Sequence, residues 1–211
     1  MAPGTLLLIA VVVAAVALLS RGFLSVPTQT PEPAPNGPAA DLPGGHNEWD
    51  NQIRYAASVA GLPDGTGPLI LKAIIEHESA HTWNPEVVGD YDETRCPEPY
   101  GAHPIGYRPA RGFVSTAGYC ALGLMQIHRY WHPFEARTYD LLDGNQNILA
   151  GAYLVAALWN QFGDWSRVLA AYNGGEDAGF AYPNVSGAVQ TYVANVGGTF
   201  RRYAGVAGVA V

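Results

Sequence analysis

Apolar and polar positions divide the chain into stretches of different character. Leu6 to Leu19 is an unbroken apolar run, bounded by Pro3-Gly4 before it and Ser20-Arg21 after it. Its fourteen residues would make a helix of about 21 Å, against the roughly 30 Å of a bilayer core. Extended over residues 4–24, the run approaches spanning length, with Arg21 as the one obstacle. We expect residues 1–25 to form an anchor that places residues 4–24 in a lipid membrane. A cleaved signal peptide is the alternative, although neither basic residues before the run nor a small-x-small site after it is clear.

Between positions 26 and 45 the hydrophobic period disappears, and six prolines appear in the stretch that includes PTQTPEPAPNGPAADLPGG. Such a composition predicts an extended linker with a reach of about 60 Å.

From His46 the pattern becomes helical. Ile53, Ala56, Ala57 and Ala60 make one apolar stripe, ended by Gly61-Leu62-Pro63. Pro68 opens a second helix that carries Leu69-Ile70 and Ala73-Ile74, predicted to run to Thr82 before Asn84-Pro85 stops it. Residues 86–118, rich in proline and small turn formers, read as one long loop. Three further helices follow: Asn147 to Phe162, Trp165 to Tyr172, and Val185 to about Tyr203. With no run of alternating strand character, the expected fold is all-α, a helical domain over residues 46–205 with a short tail at 206–211.

Composition narrows the class. Five tryptophans and twelve tyrosines among 211 residues give ample material for a core. Eighteen acidic residues outnumber eleven basic ones, for a net charge of −7, and no basic cluster exceeds Arg201-Arg202, so no nucleic-acid partner is expected. Two cysteines, Cys96 and Cys120, exclude a multi-cysteine metal module. The N-terminal segment argues against a cytosolic address, which favours a disulfide between them over two free thiols.

The second helix carries candidate chemistry. His77-Glu78-Ser79-Ala80-His81 satisfies HExxH, in which two histidines one turn apart bind zinc and the glutamate activates water. The extension found in metzincins would need glycine and histidine where Asn84 and Val87 stand, and candidate third ligands all fall on the following loop. The other reading takes Glu78 alone. A carboxyl at the last turn of an apolar helix is desolvated and faces the negative end of the helix dipole; both keep it protonated towards neutral pH, as a general acid requires.

A longer pattern accompanies Glu78-Ser79: Trp83-Asn84-Pro85, then Gly123-Leu124-Met125-Gln126-Ile127, then Asn147-Ile148 with Ala150-Gly151-Ala152-Tyr153-Leu154, then Ala170-Ala171-Tyr172-Asn173-Gly174-Gly175, and Thr191-Tyr192-Val193. This series, in this order from about Trp49 to Tyr203, resembles the catalytic domain of soluble-lytic-transglycosylase type, which shares its fold with goose-type lysozymes. The resemblance implies a lysozyme-like domain that binds peptidoglycan glycan strands and cleaves the bond between N-acetylmuramic acid and N-acetylglucosamine. Glu78 would act as sole acid and then base, leaving a 1,6-anhydro product. By the same carry-over Ser79, Met125, Gln126, Tyr172, Asn173 and Tyr192 line the groove, and no cofactor or metal is expected. His128 stands where the family usually has a methionine. Goose-type lysozymes place aspartates a dozen or so residues beyond the glutamate, so Asp90 and Asp92 are candidates to position water for hydrolysis instead. A zinc peptidase using His77, His81 and Glu78, and a wall-binding module without turnover, remain as alternatives. A wall substrate requires the domain to lie outside the cytoplasm, in the cell envelope or a virion. Nothing in the sequence names a protein partner.

Overall fold

The structure, a computed structural model, describes residues 41–98 and 117–211. The expected anchor at 1–25, linker positions 26–40 and loop positions 99–116 lie outside the described residues. Among the described residues, no helix is long and apolar enough to cross a membrane.

A single 3-10 turn, Asn47–Trp49, leads into α1 (Asp50–Val59), whose stripe Ile53, Ala56 and Ala57 is buried. The helix α2 (Thr66–Glu78) is apolar on all sides, and Leu69, Ile70, Leu71, Ala73, Ile74 and Ile75 are all buried. A helix of that kind has no face to give to water and must be enclosed. It packs on α1, on α4 (Gly144–Phe162) and above all on α7 (Gly187–Ala207). Between α4 and α7 lie α5 (Trp165–Gly174) and the short α6 (Glu176–Ala181), packed on each other, with α5 also against α4 and α7.

Polar caps set the helix starts. Asp143, Asp164 and Ser186 accept from the amides of Gln146, Arg167 and Val189, so α4 begins three residues before the expected Asn147 and α7 begins at Gly187. The last helix also outruns its expected end near Tyr203, closing at Ala207 with Gly208 in the left-handed region (φ 69°).

The all-α expectation is corrected in one place. The predicted loop contains β1 (Val88–Tyr91) and leads to β2 (Tyr119–Leu122) and β3 (Ile127–His128), an antiparallel sheet in the order β1-β2-β3. Its register pairs Gly89 with Ala121 and Ala121 with His128. A short helix α3 (Pro133–Thr138) follows. Cys96 and Cys120 form the expected disulfide, 24 positions apart with Cα atoms 5.6 Å from each other. It ties the turn after β1 to the central strand.

Lys72, the only lysine in the chain, has a fully buried side chain within α2. Its Nζ lies 2.6 Å from Asp50 Oδ1 and donates to the Leu42 carbonyl, while the Leu42 amide donates to Asp50 Oδ2 at 2.6 Å. The lead-in segment is thereby clamped to α1 and α2 through one buried ion pair.

Removing one member of such a pair strands the other charge. Asp50→Ala and Lys72→Ala should each lower unfolding free energy by about 3–5 kcal/mol, and joint replacement by Leu and Met should recover part of it. Urea denaturation checks this; single-mutant losses below about 1 kcal/mol would refute the clamp.

Candidate active site

The expected continuation of α2 to Thr82 does not occur: the helix ends at Glu78. Ala80, His81 and Trp83 then take left-handed backbone conformations, with φ of 50°, 62° and 53°. Three non-glycine residues in that region carry a strain of roughly 1–2 kcal/mol each, which the surroundings must offset. They do so with local bonds. The Ser79 hydroxyl accepts from the Trp83 amide (3.2 Å), and the Thr82 hydroxyl donates to the Ser79 carbonyl (2.6 Å). Trp83 stacks on His46, with ring centroids 4.9 Å apart and planes 12° apart. The turn therefore brings the buried helix to an abrupt stop with Glu78 at its mouth.

Glu78 is half-buried, and its Oε1 accepts a 2.6 Å hydrogen bond from the Tyr192 hydroxyl on α7. Burial pushes its carboxyl up from the usual range to about 7, with the Tyr192 hydrogen bond opposing the rise. Tyr172, near the end of α5, belongs to the same cluster. Burial and the charge on Glu78 hold its phenol well above the ordinary range, and the same two causes act first on Tyr192.

The Tyr172 hydroxyl donates to the Met125 carbonyl at 2.7 Å, joining α5 to the turn between β2 and β3. That turn is held from below by Asn147, a fully buried residue of α4. Its side-chain amide donates to the carbonyls of Leu122 (3.0 Å) and Leu141 (2.9 Å), and its oxygen accepts from the Met125 amide (2.8 Å). A side chain at Gly123 (φ 75°) would run into the Asn147 amide and the Leu141 carbonyl, so the close approach requires glycine. Asn147 was not among the expected site residues. Its signal was an amide in an otherwise apolar helical stretch, where burial demands partners.

Gln126 (φ 46°) spends its side-chain amide on the carbonyls of Val87 (3.1 Å) and Gly123 (2.9 Å), fastening the lead-in to β1 onto the β2–β3 turn. Asn173 is exposed beside Tyr172. Two expected groove contacts are corrected. Met125 is fully buried, its side chain packed where Gly151 of α4 leaves room, and Ser79 is fully buried as the cap of the strained turn. Neither side chain faces the site; both hold the backbone that does.

The two loop aspartates have partners within the β1 loop and sheet. Asp92 Oδ1 accepts from the amides of Thr94 and Arg95, while Oδ2 lies 3.5 Å from Arg95 Nε. Asp90, with φ of 49°, pairs through Oδ2 with His128 Nε2 at 2.7 Å. The HExxH residues each have partners of their own. With the helix finished at Glu78, His81 sits on the left-handed turn, 3.4 Å from Glu76, while His77 bonds the Thr199 hydroxyl at 3.1 Å and Glu78 turns to Tyr192. The two rings remain neighbours at 5.3 Å, while the Glu78 carboxyl is bonded to Tyr192. Among the described residues, the side-chain group suited to a metal is Asp90, Cys120 and His128, and its sulfur is committed to the disulfide.

A single carboxyl raised toward neutrality, bonded to the Tyr192 phenol and coupled in charge to that of Tyr172, ends an enclosed helix in a helical domain with a small sheet. The chain belongs to the transglycosylase SLT domain family, which it matches over residues 57–192, well over half its length. Its fold is similar to that of lytic transglycosylase Slt from Pseudomonas aeruginosa, solved as an inactive mutant, with a TM-score of 0.51 and 19% identity over 81% of this chain. The chain spans 25% of that enzyme's length. No match was found among curated proteins.

Two consequences concern Glu78 itself. The folded protein binds this proton more tightly than the unfolded chain, whose carboxyl titrates near 4.5. Stability contributed by the neutral group is therefore complete below about 4.5 and is lost as pH rises through about 7. Glu78→Gln should leave stability unchanged at pH 4 and raise it by roughly 2–3 kcal/mol at pH 8, read from urea melts at the two pH values. Tyr192→Phe removes the bond that favours the carboxylate, so the Glu78 midpoint in a carboxyl-carbon NMR titration should move further upward. A downward movement would show that the hydroxyl favours the neutral acid instead.

Proposed function

We propose that the domain cleaves the β-1,4 bond between N-acetylmuramic acid and N-acetylglucosamine in peptidoglycan as a lytic transglycosylase, with Glu78 as its only acid and base. The observation that carries this reading is the raised carboxyl of Glu78, half-buried and held by the Tyr192 hydroxyl. Cleavage needs a proton on the leaving oxygen while oxocarbenium character develops on the muramoyl ring. A carboxyl titrating near 7 holds that proton at neutral pH and, once ionised, is basic enough to take another. Glu78 protonates the glycosidic oxygen, then accepts the proton of the muramoyl C6 hydroxyl as that oxygen closes onto C1. The bond to the leaving sugar breaks, the 1,6-anhydro bond forms, and no water is consumed.

The tyrosines support both halves of the cycle. Tyr192 donates to the carboxylate when it forms, and Tyr172 and Gln126 keep the opposing turn in place. Asn173 offers an exposed amide to sugar hydroxyls at the end of α5. The competing hydrolytic route needs an aspartate free to order water. Asp92 serves as a turn cap and Asp90 as the partner of His128, which favours the route without water. The substrate places the domain outside the cytoplasm or in a virion, with residues 4–24 as its tether.

Digestion of purified peptidoglycan by the full chain, followed by mass spectrometry of the fragments, tests the proposal. Products lighter by one water than hydrolysed ones are expected, and Glu78→Gln should lower turnover by roughly 10²–10⁴-fold with the fold intact. Fragments at full hydrolysed mass would replace the transglycosylase with a lysozyme. Turnover that survives Glu78→Gln would remove the carboxyl from its role.

A further inference from the structure

The strand that leaves the site ends in exposed aromatic side chains that the cleavage reaction does not use. From Gln126 the chain passes through β3 to Tyr130 and Trp131, which are 48% and 60% exposed. Two large aromatics left in water at adjacent positions are costly unless something covers them. They are not loosely held. Their rings meet edge to face at 4.7 Å and 87°, and the His128 ring lies 6.0 Å from Trp131. The Arg95 guanidinium stands over both, 5.4 Å from the Trp131 ring and 5.9 Å from Tyr130.

The base of this patch is braced. Arg129, between His128 and Tyr130, donates to the Cys96 carbonyl at 2.9 Å, and Cys96 is joined to Cys120 of β2. Arg95 sits in the same turn, steadied by Asp92 at 3.5 Å with its side chain 47% exposed. Asp90 holds the His128 ring from the other side.

We propose that Tyr130, Trp131 and Arg95 form a binding platform for the continuing glycan strand of the cell wall, beyond the sugars at Glu78. The inference rests on the glycan reading of the cleft and extends it along β3. Two features select this occupant. An aromatic ring in water receives the apolar face of a pyranose, and these two rings follow Gln126 closely, just past β3. The second feature is charge. A chain of net charge −7 is repelled by a wall whose stem peptides carry carboxylates. Arg95 sets one exposed cation beside the stacking surface, where it meets a carboxylate of the strand.

Binding is measured with the full chain carrying Glu78→Gln, so that no strand is cut, by co-sedimentation with protease-stripped peptidoglycan sacculi. Adding Trp131→Ala should weaken apparent affinity about tenfold, and Trp131→Phe should restore most of the loss. Phe180→Ala, which removes an exposed ring of α6, should leave affinity unchanged. Arg95→Gln should weaken binding roughly threefold on intact sacculi and leave it unchanged on strands freed of stem peptides whose lactyl carboxylates are capped as amides. Equal binding with and without Trp131→Ala overturns the platform, as does an equal loss in Phe180→Ala. Binding that vanishes when wall proteins are stripped assigns the surface to a protein partner and overturns the proposal too. The assay needs no turnover. A chain that binds through Trp131 yet cuts nothing leaves the platform standing and removes the cleavage reading, whereas a chain that cuts but ignores Trp131→Ala does the reverse.

Discussion

Helix α2 has no hydrophilic face, and the need to enclose it organises the molecule. Six consecutive-turn apolar residues, Leu69 to Ile75 without Lys72, are covered by α1, α4 and α7. The polar exception within that stretch, Lys72, is neutralised internally by Asp50. Desolvation does not stop where the hydrocarbon ends. Glu78 inherits the dry surroundings of the helix it terminates, and its carboxyl is raised for that reason first. The burial that stabilises the domain and the burial that tunes the acid are one physical effect at two positions of one helix. Its abrupt stop is the compromise: the left-handed turn at Ala80, His81 and Trp83 spends strain to bring the helix end to the surface.

The opposite wall is assembled by a different logic. The turn between β2 and β3 has backbone amides and carbonyls with few neighbours on a three-stranded sheet this small. Side chains from elsewhere supply them: Asn147 from α4, Tyr172 from α5, and Gln126 from the turn itself. Several polar residues near the site thus satisfy the protein's own backbone. Tyr172 shows how such a residue serves two purposes, since its hydroxyl fixes the Met125 carbonyl and its phenol feels the charge of the Glu78 carboxyl.

Much of this was legible in the chain. Long helices announce themselves by apolar stripes, and the position of Glu78 in the last turn of one was readable together with the sign of its shift. The sheet was not legible, because strands of four, four and two residues are too short to display alternation. The end of α2 was missed because no glycine or proline marks it; the turn is imposed by Ser79, Thr82 and Trp83 acting together. Family motifs located the neighbourhood of the site but not the direction of each side chain. Met125 and Ser79 belong to those motifs and point inward, while Asn147, equally part of them, turns out to hold the turn. The contact of Tyr192 with Glu78 joins residues 114 positions apart, which no local pattern encodes.

The burial of Lys72 has a practical side. It is the chain's only lysine, and its ammonium is wholly out of solvent. Reagents that acylate primary amines therefore find no exposed ε-amine on the folded protein. Appearance of a label on Lys72 would report that the clamp between α1 and α2 had opened.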